Sequence, residues 1–322
     1  MLLTIIIWLE MTTFFLKTAI PKLLVSLICL IFLPSHVMEQ ETETKNESGS
    51  QAGLAVKWVT QFSSLSDLKK RNKISHLVFN FLFGSGERSL VRPMSMVCTS
   101  TNEWIILDQG SYQVVRIRQE ESDFTDLSLD TYPSLVGICA TIDDQIYFTD
   151  SQLNKVFTGR ISDRKFPPIN DTLGFARPTG IAFLPSKQEL WVVETQAHCV
   201  TIISMTGLLV KHIGRRGTAP GEFNFPTYIW IDKEGLVYIV DSMNFRIQVM
   251  NQEGEFLFCF GEVGDATGFF ARPKGVATDS YGNIYVVDAL FHTVQIFNRE
   301  GHYLSNFGER GTAAGQFWLP MG

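Results

Sequence analysis

Three arginines stand at one recurring position in this chain. Arg92, Arg177 and Arg272 each precede a proline that leads into a short apolar run. At the same beat the other copies carry Ser134, Phe225 and Leu319. If the runs surround an axis, arginine alternates with a neutral residue around one mouth, at intervals of about 120° in a six-membered ring. Planar guanidinium forks suit carboxylates and phosphates, and positive charge converging on a concavity focuses anions. The alternative is that each arginine pairs with an acid of a neighbouring unit or stacks on an aromatic ring, and the sequence leaves both open.

A second set of chemical groups recurs as well. Asp108, Asp150, Glu194, Asp241 and Asp288 each end the second apolar run of a copy. One acid at one place in every copy points to a shared turn, in which a carboxylate accepts hydrogen bonds from backbone amides, rather than to catalysis. His198 and His292 each lie four residues past this acid, where other copies have Tyr112, Asn154 and Phe245. Loops at one end of such a unit are where partners bind. The two histidines belong to non-adjacent copies, too far apart to chelate one ion, and are read as exposed loop residues. His212 and His302 fall in fourth strands and do not join them. Tyr228 and Trp230 replace the small residues found elsewhere near the axis (Gly180 and Ala182, Gly275 and Ala277). They either plug the channel or form one wall of a ligand pocket. No P-loop, Ser-His-Asp spacing, metal-ligand set or cofactor motif stands out.

The elements that must position these residues are copies of one unit. Gly221–Gly261, "GEFNFPTYIWIDKEGLVYIVDSMNFRIQVMNQEGEFLFCFG", aligns without a gap on Gly268–Gly308, "GFFARPKGVATDSYGNIYVVDALFHTVQIFNREGHYLSNFG". A further copy begins with "GQFWLP" from Gly315. Four short apolar runs in a period of roughly 40–50 residues mark a propeller blade or a related array. Strands are expected over Thr227–Ile231, Leu236–Val240, Phe245–Met250 and Glu255–Phe260, with turns at Asp232–Gly235 and at "NQEG". Such a sheet has two apolar faces, so copies must stack. Earlier copies are more degenerate, and Leu77–Gly84, "LVFNFLFG", reads as a fourth strand without its first three, which is how a propeller ring closes. Six starts and five complete copies predict an all-β, six-bladed β-propeller of four-stranded blades, its last blade cut short. About 35–40 further residues would complete it.

These residues resemble an NHL repeat, the unit of six-bladed NHL propellers. The order "WVTQFSS", "DLKKR", "LVRP", "FNFPT", "FARPKGVA", "FWLP" is similar to exported bacterial propellers of that type over about Val56 to Gly322. The first three copies lack Asn-x-Arg, and Glu194 replaces Asp. The resemblance implies a fold that also serves an amidating lyase, strictosidine synthase-like enzymes, lactonases and RNA-binding domains, so the fold does not decide function.

The chain has 322 residues, is 45% hydrophobic and carries a formal charge of −6. That balance argues against nonspecific nucleic-acid binding. Residues 1–38 hold two apolar stretches around Lys17 and Lys22 and are read, from Met1 or Met11, as an export signal or membrane anchor. Residues 39–53 are a polar tether expected to be disordered, and 54–322 the propeller, with a short polar helix over Ser63–Ser75. Of the five cysteines, Cys29 lies in the leader, while Cys98, Cys139, Cys199 and Cys259 fall in strands and are expected as buried free thiols. A Cys98–Cys139 disulfide is the alternative in an oxidising compartment.

The reading is an exported, periplasmic, extracellular or membrane-anchored binding propeller, non-catalytic and without metal or cofactor. It would engage a protein, peptide or anionic ligand through Arg92, Arg177, Arg272, Tyr228, Tyr112, Phe245, Trp230, His198 and His292. The membrane would be met only through the N-terminal segment. A metal-assisted hydrolase or lyase and an RNA-binding propeller are the two alternatives.

Overall fold

Each copy of the repeat folds as an antiparallel meander, because short β-branched and aromatic runs alternate with turns that only Asp, Asn and Gly make easily. The computed structural model describes residue 56 and residues 89–118, 123–128 and 130–321. The leader, the tether, the polar helix and the proposed closing strand Leu77–Gly84 lie outside the described residues. Among the described residues no helix is long and apolar enough to cross a membrane.

Five sheets follow one another. Blade one comprises β1 (Pro93–Cys98), β2 (Trp104–Asp108), β3 (Gln113–Arg118) and β4 (Asp123–Asp126). Blade two comprises β5 (Leu135–Ala140), β6 (Gln145–Asp150) and β7 (Lys155–Arg160). Blade three is β8 (Pro178–Leu184), β9 (Glu189–Glu194), β10 (Cys199–Ser204) and β11 (Leu209–Ile213). Blade four is β12 (Pro226–Ile231), β13 (Val237–Asp241), β14 (Arg246–Met250) and β15 (Phe256–Phe260). Blade five is β16 (Pro273–Thr278), β17 (Ile284–Asp288), β18 (Thr293–Phe297) and β19 (Tyr303–Phe307). The innermost strands lie side by side, β1 against β5, β5 against β8, β8 against β12 and β12 against β16. This is a β-propeller.

The turns carry the chemistry expected of them. Asp232 Oδ1 accepts from the amides of Glu234 and Leu236, and Asp279 does the same for Tyr281 and Asn283. Gly235 and Gly282 take the left-handed φ, 85° and 86°, that an L side chain resists.

Stacking buries both faces of the blades. Ile105 and Leu107 of blade one meet Leu135 and Phe148 of blade two, and Tyr147 meets Ile181 and Leu190 of blade three. Trp191 and Val193 meet Phe223 and Ile239 of blade four, and Tyr238 and Val240 meet Phe270 and Val286 of blade five. Near the axis the inner strands approach so closely that a Cβ on Gly137 would stand 2.3 Å from the Thr179 carbonyl oxygen.

Three expectations are corrected. Among the described residues there are five blades, not six. The sixth copy repeats the parallel bridge that precedes blades four and five, Arg310 to Phe317 as Arg216 to Phe223 and Val263 to Phe270, and no strand follows it among the described residues. Blade two has three strands rather than four, because Pro167 and Pro168 occupy the place of the fourth and proline cannot donate to a ladder. A single bridge, Phe157 to Pro168, remains there. The four cysteines described are free, with Cys139 and Cys199 buried but Cys98 and Cys259 exposed. Burial pushes the Cys139 thiol up.

The inter-blade core should dominate stability. Phe223, fully buried between blades three and four, should cost about 3–5 kcal/mol when replaced by alanine. Leu304→Ala on the exposed outer strand of blade five should stay within about 0.5 kcal/mol. Urea unfolding midpoints of the two variants measure the difference.

Candidate ligand-binding face

The recurring acids are the first fixed points of this face. Asp108 accepts from the amides of Val91 and Arg92 at 3.0 and 2.6 Å, and from Gly110. Asp150 accepts from Ser134, Gln152 and Leu153, and Asp288 from Ala271, Arg272, Leu290 and Phe291. In blade four, Asp241 accepts from the Asn224 amide and from the side chains of Asn244, Arg246 and Gln248. Each acid therefore ties the end of the second strand to the segment leading into the innermost strand. These carboxylates are spent on backbone and neighbouring side chains.

The loop residues four past each acid have a second job. Tyr112, Asn154, His198, Phe245 and His292 all take left-handed φ, from 55° to 61°. Asn154 Oδ1 accepts from the Arg177 amide at 3.1 Å, His198 Nδ1 from Phe225 at 3.1 Å, and His292 Nδ1 from Leu319 at 3.0 Å. Each bond runs from the start of one copy to the loop of the copy before it. The receiving residues Arg177, Phe225 and Leu319 are themselves left-handed, at φ 58°, 48° and 51°. Where the loop carries Tyr112 or Phe245, which offer no such acceptor, the amides of Ser134 and Arg272 turn to their own blade's aspartate. His198 is thus not an exposed loop residue. It is 7% exposed, with its ring 4.3 Å from that of Phe225, and His292 is half-buried.

The arginines do come out at one face. Arg92, Arg177 and Arg272 are all exposed at the starts of innermost strands. No ion pair joins them to another described residue. They are not equivalent, since only Arg177 has the left-handed backbone. Two residues past Arg272 on β16, Lys274 is partly buried, and burial together with Arg272 lowers its pKa. The equivalent residues in other blades, Met94, Val136, Thr179 and Thr227, carry no charge, so the repeat pattern does not point to Lys274. Large apolar side chains stand among the cations: Tyr112 is 50%, Met243 53% and Leu290 56% exposed. The loops carrying Met243 and Leu290 share the position of the predicted Tyr112 loop, which is the signal that could have found them.

Tyr228 and Trp230 belong to the channel rather than to the face. Burial raises the Tyr228 phenol pKa, and the nearby Ser95 side chain of blade one lowers it. Trp230 Nε1 donates to Thr278 Oγ1 at 2.9 Å, between blades four and five. Phe245 packs against the core between those same blades. Of the predicted residues, Arg92, Arg177, Arg272 and Tyr112 share the exposed face, and the rest turn inward or brace it.

No family model matches the chain, and no curated protein matches it. Solved structures do. Virginiamycin B lyase from Staphylococcus aureus aligns at a TM-score of 0.54 and 15% identity, covering 69% of this chain and 71% of that one. A chain of the nidogen/laminin complex aligns at 0.54 and 16%, covering 69% and 83%. A protein of unknown function from Bacteroides thetaiotaomicron aligns at 0.57 and 17%, covering 72% and 64%. At such identities the likeness is one of fold alone.

The inter-blade role of His198 makes a sharp prediction. His198→Asn should keep stability near wild type, since Asn154 does the same job in the preceding loop and asparagine tolerates left-handed backbone. His198→Phe should leave the Phe225 amide without its acceptor and cost about 1–3 kcal/mol. Thermal and urea unfolding of the pair test it.

Proposed function

We propose that this chain is a non-catalytic, exported binding module that holds an acidic peptide segment of a protein partner on its loop face. The observation that carries the reading is the combination at that face. Three exposed guanidiniums lacking ion pairs among the described residues stand beside the exposed apolar side chains of Tyr112, Met243 and Leu290. Arginine and aromatic residues grouped on an exposed surface are the composition of protein-binding hot spots. Exposed apolar groups beside forks that fit carboxylates favour a peptide over a bare inorganic anion.

Lys274 supports the same assignment. Its ammonium is disfavoured by burial and by Arg272, and a carboxylate arriving at the mouth would relieve that repulsion. The formal charge of −6 for the chain as a whole sets this local cationic patch against an acidic background, which disfavours a general polyanion surface. Export through residues 1–38 is part of this proposal.

The test uses a fluorescent peptide rich in Asp, Glu and Leu, with its Lys-substituted counterpart as control. The acidic peptide should bind with an affinity that weakens as salt rises, and the control should not bind. The triple variant Arg92→Gln, Arg177→Gln, Arg272→Gln should lose binding at least about tenfold, a difference of about 1.4 kcal/mol, while its unfolding midpoint holds. Equal binding by the triple variant would overturn the reading.

A further inference from the structure

Blade three departs from blades four and five at a set of positions that the strand registers align. In blade four, Asp241 faces Arg246 across β13 and β14, and Gln248 faces Cys259 across β14 and β15. In blade five the same places hold Asp288 facing Thr293 and Gln295 facing Asn306. In blade three they hold Glu194 facing Cys199, and Thr201 facing His212. Because side chains two apart on a strand share a face, Glu194, Cys199, Thr201 and His212 all project from the same side of the sheet.

The glutamines of blades four and five clamp the segment leading into their blade. Gln248 accepts from the Gly221 amide and donates to the Glu222 carbonyl, and Gln295 does so with Gly268 and Phe269. Thr201 is too short for that clamp and instead donates to Glu194 and bonds His212 Nδ1 at 2.8 Å. The ligand atoms of Glu194, Cys199 and His212 all lie within 4.8 Å of one another.

Charge separates this cluster from its counterparts. Asp241 is balanced by Arg246 at 2.9 Å, and Asp288 is surrounded by four backbone amides. Glu194 is 6% exposed, has no ion pair among the described residues, and accepts from only the Ala176 amide and the Thr201 hydroxyl. A buried carboxylate so thinly compensated favours a cation beside it. The two groups within reach are a thiol and an imidazole.

We infer that Glu194, Cys199 and His212 form a binding site for a zinc-type divalent metal ion on blade three. One carboxylate oxygen, one sulfur and one ring nitrogen are the ligand types that tetrahedral zinc takes. At ordinary bond lengths a tetrahedral ion holds its oxygen and nitrogen ligands about 3.3 Å apart, and sulfur about 3.6 Å from either. Side-chain rotations that draw the three atoms together by about 1 Å would therefore suffice, with Thr201 free to keep its bond to the carboxylate. His212 is exposed while Glu194 and Cys199 are buried, so the ion has a path from solvent and a dry floor to rest on. Three protein ligands leave a fourth position for water or an external group. The inference does not rest on the arginine reading, although Glu194 also holds the Ala176 amide beside Arg177.

The full chain, freed of metal with a chelator, should be titrated with cobalt(II) and then zinc(II). The expected result is a thiolate-to-cobalt charge-transfer absorption with tetrahedral d–d bands, both removed by one equivalent of zinc. Cys199→Ser should abolish the charge-transfer band, whereas Cys98→Ser and Cys259→Ser, at exposed thiols, should leave it. His212→Gln sits on an exposed strand, should fold normally, and should weaken cobalt binding at least about tenfold. The inference is overturned if wild type gives no cobalt–thiolate absorption, or if the band survives Cys199→Ser. Should Cys199→Ser fail to fold, His212→Gln decides alone, and an unchanged affinity there sinks the site.

Discussion

A carboxylate at the end of the second strand, accepting backbone amides from the segment ahead of the first, is the contact on which the architecture turns. It fixes where each innermost strand begins relative to its own sheet. Without it, the lead-in segment would present unpaired donors beside the channel mouth, and each would cost about 1–3 kcal/mol if left buried and unsatisfied. Asp108, Asp150, Asp241 and Asp288 perform this with their short side chains, and Glu194 does so through the Ala176 amide. The extra methylene of Glu194 moves its other oxygen towards Thr201. A single change of side-chain length thus turns a purely structural acid partly outward to other work.

Around that frame the lead-in residue has two settings. It either bonds its own blade's acid in ordinary backbone geometry, or it swings into left-handed φ and bonds the loop of the preceding blade. The second setting carries an intrinsic cost of about 1–2 kcal/mol for a side chain such as Phe225 or Leu319, which a hydrogen bond of similar magnitude offsets. The choice is set by the loop residue of the neighbour. Asparagine or histidine calls up the swung setting and tyrosine or phenylalanine the other. The face can therefore vary from blade to blade while the inner strands hold their places.

Much of this was legible beforehand. The gapless match of Gly221–Gly261 to Gly268–Gly308 gave the meander, the strand boundaries to within a residue or so, and the structural role of the acids. The shared face of the arginines followed from the register of Pro93, Pro178 and Pro273. What sequence could not supply was orientation. His198 and Tyr112 occupy one position and one backbone conformation, yet one is buried and the other half exposed, because the imidazole Nδ1 sits close enough to the backbone to accept from the next blade and the distal phenol oxygen does not. The three-stranded blade was written in Pro167 and Pro168, but periodicity outweighed them. The cluster of Glu194, Cys199 and His212 spans three strands, so nothing in linear spacing draws those residues together.

Tyr228 has a consequence for the size of what can be held. Tyr228 and Trp230 stand on β12 where β8 and β16 carry Gly180, Ala182, Gly275 and Ala277, so blade four brings more bulk to the axis than its neighbours. That leaves the exposed arginines and the apolar loop side chains around the axis as the surface open to solvent. On such a surface affinity comes from contacts spread from loop to loop, which rewards an extended guest over a compact one.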